Sequence, residues 1–269
     1  MIDVPTFNAV FKLSFMNSFE ISADSPVIYS ENFTIRSYHT DLNRRLTINK
    51  LCSFFQDIAG NHTVACSVGW DIMQEQQVFW VLSRMKIEVT SYPEWWQKIK
   101  ISTWSTGTNG LFAYRNFKVE DEAGNLLVKA TTMWLMVNTE TRRIVRPAEY
   151  MKDFPRCEDQ LFDSEPEKIP ELIDAVEFDP ATVVFTETDM NMHMNNVSYV
   201  ERIINSFDFD FLIKNNITTF EINFLKEAVP GDNLKVCRQK ISENEFLCSI
   251  VRVPDGTEMV RNRLIWSPI

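Results

Sequence analysis

Glycine is scarce in this chain of 269 residues: only 7 are present, and no G-x-G-x-x-G or G-x-x-x-x-G-K-[ST] pattern occurs. A loop that wraps nucleotide phosphates in backbone N–H groups needs those glycines, so nucleotide cofactors are not expected, nor is any other cofactor. Histidine is scarcer still, limited to His39, His62 and His193. The cysteines, Cys52, Cys66, Cys157, Cys237 and Cys248, are odd in number and never in C-x-x-C spacing. A metal site lacks its ligands on this count, and the thiols read as the reduced cysteines of a cytoplasmic protein. No stretch approaches the ~20 apolar residues of a membrane span. Positive charge is in deficit: 27 Lys and Arg against 37 Asp and Glu give a formal net charge of −10. That balance argues against nucleic acid and against broad docking on anionic membranes. An acidic partner would need a local cluster of arginines.

What the chain has is apolar and aromatic bulk. Hydrophobic residues make up 45%, with 20 Phe and 7 Trp. That suits packed sheets or a lipophilic cavity, in one large domain or two moderate ones. A short apolar patch, Phe7 to Met16, follows Asp3 and holds a single basic residue, Lys12. It has no clean cleavage site and does not read as a signal peptide. The folded pattern starts only near Tyr29, so residues 1–26 are expected to be an extension, with translation beginning at Met16.

The chain repeats itself. Asp41-Leu-Asn-Arg-Arg-Leu46 is echoed by Asp189-Met-Asn-Met-His-Met194 at an offset of 148 residues (189 less 41). Each follows an extended run, Val27 to Ile35 and Thr182 to Thr186, and precedes a helical pattern. Ile48, Leu51, Phe55 and Ile58 mark one face of a helix over 46–65, and Val200, Ile203, Ile204, Phe207 and Phe211 mark its counterpart. Strands are predicted near 78–90, 98–106, 111–120 and 126–138, then near 218–226, 233–240, 245–253 and 258–266. Turn signals Glu122-Ala-Gly-Asn125 and Asp255-Gly256 separate neighbours. A polar stretch bearing prolines divides the halves. The expected layout is therefore 27–154, a linker over 155–180, and 181–269. A five-turn helix laid on a curled antiparallel sheet is a hot-dog unit. The fold class is α+β, a tandem double hot-dog.

The densest chemistry lies in Asp189-Met-Asn-Met-His-Met-Asn-Asn196. Read as an extended segment, it places Asp189, Asn191 and His193 on one face and Met190 and Met192 on the other. A carboxylate, an amide and an imidazole aimed at one spot supply charge, hydrogen bonding and a proton carrier. Taken singly, Asp-x-Asn before a helix is more often turn and capping chemistry.

From about Tyr29 to Pro268 the chain resembles the acyl–acyl carrier protein thioesterases, bacterial relatives of the plant plastid enzymes. The resemblance is carried by Phe55-Gln-Asp-Ile-Ala-Gly-Asn-His62, Trp80-Val-Leu-Ser-Arg-Met85, Tyr92-Pro93, Thr141-Arg-Arg143 and Asp189 to Asn196. It implies hydrolysis of acyl–acyl carrier protein thioesters to free fatty acid, ending chain elongation. It adds a catalytic glutamate, matching Glu227 here, as base on water or as nucleophile forming an anhydride. His193 would orient water or protonate the leaving sulfur, Asn191 would hold water or substrate, and Asp189 would fix their geometry. Asn195 and Asn196 open a helix whose N-terminus would stabilise an oxyanion. Plant relatives commonly carry cysteine after the glutamate; here Ala228 stands there, and a thiol route is disfavoured, although Cys237 could come close in space.

In the first half Arg45 replaces His193 and cannot shuttle protons, so that half should be catalytically silent. By resemblance it houses the acyl chain, with Phe54, Phe55, Trp80, Met85 and Trp134 as wall or core residues. The role of Asn61-His62, at the end of the first helix, is open, with C-terminal capping as the plain alternative. Acyl carrier protein is acidic, and two arginine clusters could receive it: Arg44 with Arg45, and Arg142, Arg143 and Arg146. An acyl-CoA thioesterase of the same fold, a non-catalytic acyl-binding protein and, less favoured, a dehydratase are the competing readings. Association into a homodimer is left open.

Overall fold

Residues 23–269 are described here from a computed structural model. The Phe7–Met16 patch, the alternative start at Met16 and most of the expected extension lie outside the described residues. Strand β1 (Tyr29–Thr34) and a 3-10 turn (Ser37–His39) lead to helix α1 (Ile48–Ala65) and the short α2 (Trp70–Glu75). Four long strands follow: β2 (Val78–Val89), β3 (Lys98–Asn109), β4 (Phe112–Asp121) and β5 (Leu126–Asn138). After β6 (Ile144–Val145), α3 (Pro147–Tyr150), β7 (Val176–Glu177) and β8 (Ala181–Thr182), a 3-10 turn (Phe185–Glu187) precedes α4 (Asn196–Ile204) and α5 (Phe209–Leu212). Strands β9 (Asn215–Phe224), β10 (Asn233–Lys240), β11 (Glu245–Arg252) and β12 (Glu258–Pro268) complete the chain.

The strands form one 12-stranded sheet in the order β1-β3-β4-β5-β2-β9-β12-β11-β10-β7, with β6 paired to β5 and β8 to β10 beside that path. The order reads the same from either end, with β2 and β9 as the central pair. Those two run antiparallel in register from Arg84↔Asn223 to Glu88↔Thr219, so the two half-sheets are stitched by backbone hydrogen bonds. This is a double hot-dog of the α+β class.

The three-letter echo in the sequence is a structural repeat. The 3-10 turns, the bridges Thr40↔Leu46 and Thr188↔Met194, and the left-handed residues Arg44 (φ 62) and Met192 (φ 61) all sit at the same offset. The helices α1 and α4 also begin at that offset. They cross the β2–β9 junction antiparallel: Asn49, in the first turn of α1, donates to Glu201 near the end of α4 at 2.7 Å. Between them and the sheet, Val200 and Ile203 of α4 and Ile87, Phe220 and Ile222 of the strands are fully buried. Each stabilises the fold by about 1.5–3 kcal/mol on the scale of a buried aliphatic or aromatic side chain.

Two local expectations are corrected. The second helix breaks after Ile204, where Asn205–Asp208 interrupt it before α5. The extended run expected over Thr182–Thr186 stops at Val184, where the 3-10 turn takes over at Phe185. The inter-half stretch packs along the sheet, with Asp159 O accepting from Trp104 Nε1 at 2.8 Å and Ile169 N–H donating to Asn223 Oδ1 at 2.8 Å.

Candidate active site

Asp189 to His193 is a tight turn rather than a strand. Oδ1 of Asp189 accepts from the N–H of Asn191 at 2.8 Å and, more weakly, from that of His193 at 3.4 Å. The Asp189 N–H donates to His193 O at 2.9 Å, and Met192 closes the turn in the left-handed region. A short acidic side chain that hydrogen-bonds the backbone two residues on favours this bend over an extended ladder. The shared-face expectation fails for that reason. Met190 and Met192 are 71% and 73% exposed, so no buried apolar face opposes the polar one. Asp189 fixes the loop, and Asn191 is displayed at its tip.

Three residues beyond β9, Glu227 meets this loop. Its Oε2 lies 3.5 Å from His193 Nε2. The approach is held by backbone: Met194 N–H donates to Ala228 O at 2.8 Å, and Ala228 N–H donates to the buried Tyr199 hydroxyl at 2.9 Å. Burial pushes the Tyr199 phenol up to about 12, so it stays protonated as a structural pin. Arg142, left-handed at φ 55 in the hairpin between β5 and β6, places Nη2 2.5 Å from the same Glu227 oxygen. Its guanidinium lies 5.2 Å from the centre of the Phe79 ring. Asn195 caps α4 by accepting from Val197 N–H at 2.9 Å and so has its amide oxygen occupied. The first helical N–H, that of Asn196, has no acceptor among the described residues.

A cavity of about 700 Å³ opens beside the loop, with Asp189, Asn191 and Asn196 in its wall. Trp70, Met73, Phe79, Trp80, Trp134 and Phe154 give it an apolar lining. A narrow crevice of about 20 Å³ continues between the helices, walled by Phe55, Met85, Phe117 and Trp134. Phe54 instead packs in the core against Phe33, ring centres 4.7 Å apart. The space exists because α1 carries Ala59, Gly60 and Thr63 where it faces the cavity. At the repeat offset the second half has Phe207 and Phe211. These pack on Trp266 at 5.0 and 5.1 Å and on Phe246 at 5.1 and 5.8 Å, filling the equivalent room.

The first half also lacks the reactive pair. Tyr92 stands three residues beyond β2, as Glu227 does beyond β9, and its phenol donates to Ile217 O at 2.8 Å. Burial raises its pKa further, and Arg45 stands at the repeat position of His193. Neither is a base at neutral pH.

Comparison with known proteins fits this arrangement. Family models for the acyl-ACP thioesterase N-terminal and C-terminal domains match residues 26–154 and 171–268. The chain belongs to the acyl-ACP thioesterase family. It is 28% identical to a palmitoyl-acyl carrier protein thioesterase of Gossypium hirsutum over 90% of this chain and 64% of that protein, so it spans under two-thirds of the relative's length. An acyl-ACP thioesterase from Bacteroides thetaiotaomicron superposes with a TM-score of 0.82 at 27% identity, covering 89% of this chain and 98% of that one. The 12:0-ACP thioesterase of Umbellularia californica shares the fold, with a TM-score of 0.82 at 22% identity over 91% and 98% of the two chains.

Within this acyl-ACP thioesterase fold the remaining site expectations divide. Cys237 lies on β10, three strands from β9 and so about 14 Å away at ~4.8 Å per strand, which removes it from the chemistry. Cys52 and Cys248 are buried and pushed up to about 12, which makes them inert. Ala228 is fully buried. Arg44 and Arg45 sit at the start of α1, where their turn packs on Ile213 O through Asn43 at 3.1 Å, at the far end of the helix pair from Glu227. Nη1 of Arg45 is buried without a partner among the described residues. Arg143 and Arg146 are exposed. The Arg142–Glu227 bond spans 85 residues, and nothing local in the sequence signals it. Tyr199 was equally hidden, although its place four residues after the Asn195 cap puts it on the helix face turned toward the loop.

Proposed function

We propose that this chain hydrolyses acyl–acyl carrier protein thioesters, releasing a free fatty acid and the carrier's thiol and so ending chain elongation. The observation that carries the reading is the 3.5 Å approach of Glu227 to His193 beside an aromatic-walled cavity. The half over 27–154 receives the acyl chain, and the half over 181–269 performs the chemistry.

In the step as we read it, Glu227 takes a proton from water and the hydroxide adds to the thioester carbonyl. The oxyanion draws on the unpaired N–H of Asn196 and the amide of Asn191, a donor of this kind being worth about 3 kcal/mol in the transition state. Collapse breaks the C–S bond, and the thiolate takes its proton through His193 or Glu227. If Glu227 attacks directly, an anhydride forms and water then cleaves it. A single turnover in isotopically labelled water separates the two, since only the anhydride route puts label into the Glu227 carboxylate. Arg142 holds that carboxylate in place, and Arg143 and Arg146 are positioned to meet an acidic carrier.

Thiol release from carrier protein loaded with saturated chains of different lengths, run beside the matching CoA thioesters, tests the function. Higher kcat/KM on the carrier is expected. Equal kcat/KM on both would make the chain a general acyl thioesterase, and tight binding without release would make it a binding protein.

A further inference from the structure

The cavity contains a charge that hydrolysis does not use. Arg115, on β4, is 8% exposed and lines the cavity. Its Nη1 donates to His62 Nδ1 at 2.9 Å and to Thr103 Oγ1 at 3.1 Å. His62 is fully buried, and its Nε2–H donates to Pro26 O at 2.8 Å, which leaves the imidazole neutral. Burial and the Arg115 charge hold His62 down to about 4. Neither neighbour therefore balances the guanidinium. Among the described residues no carboxylate pairs with Arg115, nor with Lys152 or Arg156, which line the same cavity. Of the two acids in its wall, Asp189 is engaged by its own turn. Asp57 is raised by burial and by Glu31, with no cation among the causes.

A buried guanidinium that faces a cavity without a carboxylate partner has room for an anion, and two further cations, the exposed Lys152 and Arg156, lie at the same cavity. A buried charge without a counterion costs several kcal/mol, and a guanidinium has five N–H donors to satisfy, of which the contacts above use few. The rest of the wall is Trp, Phe and Met, which suits an aliphatic chain. Position adds to this. Arg115 pairs with Thr132, Thr132 with Met85 and Met85 with Ile222, so Arg115 lies three strands, about 14 Å, from the strand that leads to Glu227.

We propose that Arg115 is a buried anion subsite in the cavity wall that takes the terminal carboxylate of an aliphatic chain. Two sources share that chemistry: the far carboxylate of a dicarboxylic acyl thioester, and a free fatty acid entering carboxylate-first and blocking the chamber. The inference rests on the cavity being the acyl chamber.

The test is equilibrium binding of dodecanoate and of dodecanol to the full chain, read from tryptophan fluorescence, since Trp70, Trp80 and Trp134 line the cavity. Dodecanoate is expected to bind at least tenfold more tightly. Arg115→Met should abolish that preference without weakening dodecanol, and Arg115→Lys should retain part of it. Equal affinities in the unaltered protein overturn the subsite whether or not the variants fold, and so does a preference that survives Arg115→Met. Two arms identify the source. Faster turnover of a carrier loaded with an ω-carboxyl chain than of its methyl-ended equivalent assigns the subsite to substrate. Competitive inhibition by dodecanoate, lost in Arg115→Met, assigns it to the free acid. Binding needs no turnover, so an inactive protein that prefers dodecanoate keeps the subsite and removes the hydrolase reading. An active one without the preference does the reverse.

Discussion

Two residues, one exposed and one buried, have consequences that can be measured one at a time. Arg142 reaches Glu227 from the other half of the molecule at 2.5 Å, so its first duty is to position a carboxylate. Arg142→Met is expected to lower kcat by about 10- to 100-fold, the scale of a misplaced catalytic group, with Arg142→Lys recovering part of it. A rise in KM for the carrier with kcat unchanged would return Arg142 to the docking role that its sequence neighbourhood suggested. His62 makes a separate prediction for stability. Its pKa falls from 6.5 in the unfolded chain to about 4 in the folded one, chiefly through burial. Between those values the unfolded state binds the extra proton, so stability is fully present above pH 6.5 and declines as pH drops toward 4. The loss amounts to up to about 3 kcal/mol. Urea titrations across that window should show a steeper decline for the unaltered protein than for His62→Gln. At this scale the sequence was legible for residue identity and not for contact. Asp189, Asn191, His193 and Glu227 were nameable, but an alternating D-x-N-x-H pattern is equally compatible with a strand and with an Asx turn. The exposure of both methionines decides between them only in three dimensions.

At the scale of elements, the long strands were readable because each buries one face and so alternates, and α1 was readable from its 3–4 spacing of apolar residues. The break in the second helix was not, because Phe207 and Phe211 continue the apolar pattern straight across it. They do so for a reason visible only in the fold. Phe207 and Phe211 fill, in the second half, the room that Ala59 and Thr63 leave open in the first. Trp134 and Trp266, each the ninth residue of its strand, face an open cavity in one case and a ring cluster in the other. Ala59→Phe should therefore copy the closed arrangement into the open half. It is expected to cut kcat/KM for long acyl chains by roughly tenfold or more while sparing short ones, a few methylenes of lost room being worth 1–3 kcal/mol each. Chain-length profiles on loaded carrier protein check this. A uniform loss at every length would mean that Ala59 does not border the acyl chain.

Across the whole molecule, the two repeats share one sheet and one core. The β2–β9 pairing buries Met85, Ile87, Phe220 and Ile222 at the junction, and separating the halves would expose them together with two long strand edges. The chain should unfold in a single calorimetric transition with equal calorimetric and van't Hoff enthalpies, and two resolved transitions would contradict a continuous core. The repeat was visible in the sequence as a faint echo because the turn chemistry of Asp41 and Asp189 survived in both copies. The difference between the copies was visible as Arg45 against His193. What joins them was not, since the Glu227–Arg142 bond and the β2–β9 register are contacts between distant segments. The central claim is that Glu227 and His193 act as one catalytic unit. It is tested most directly by a double-mutant cycle on thiol release from acyl carrier protein, using Glu227→Gln, His193→Ala and the pair. Each single change should lower kcat by at least about 100-fold, and the double change should cost little more than either alone. A Glu227→Gln protein that turns over at close to the unaltered rate, or two losses that simply multiply, would contradict it.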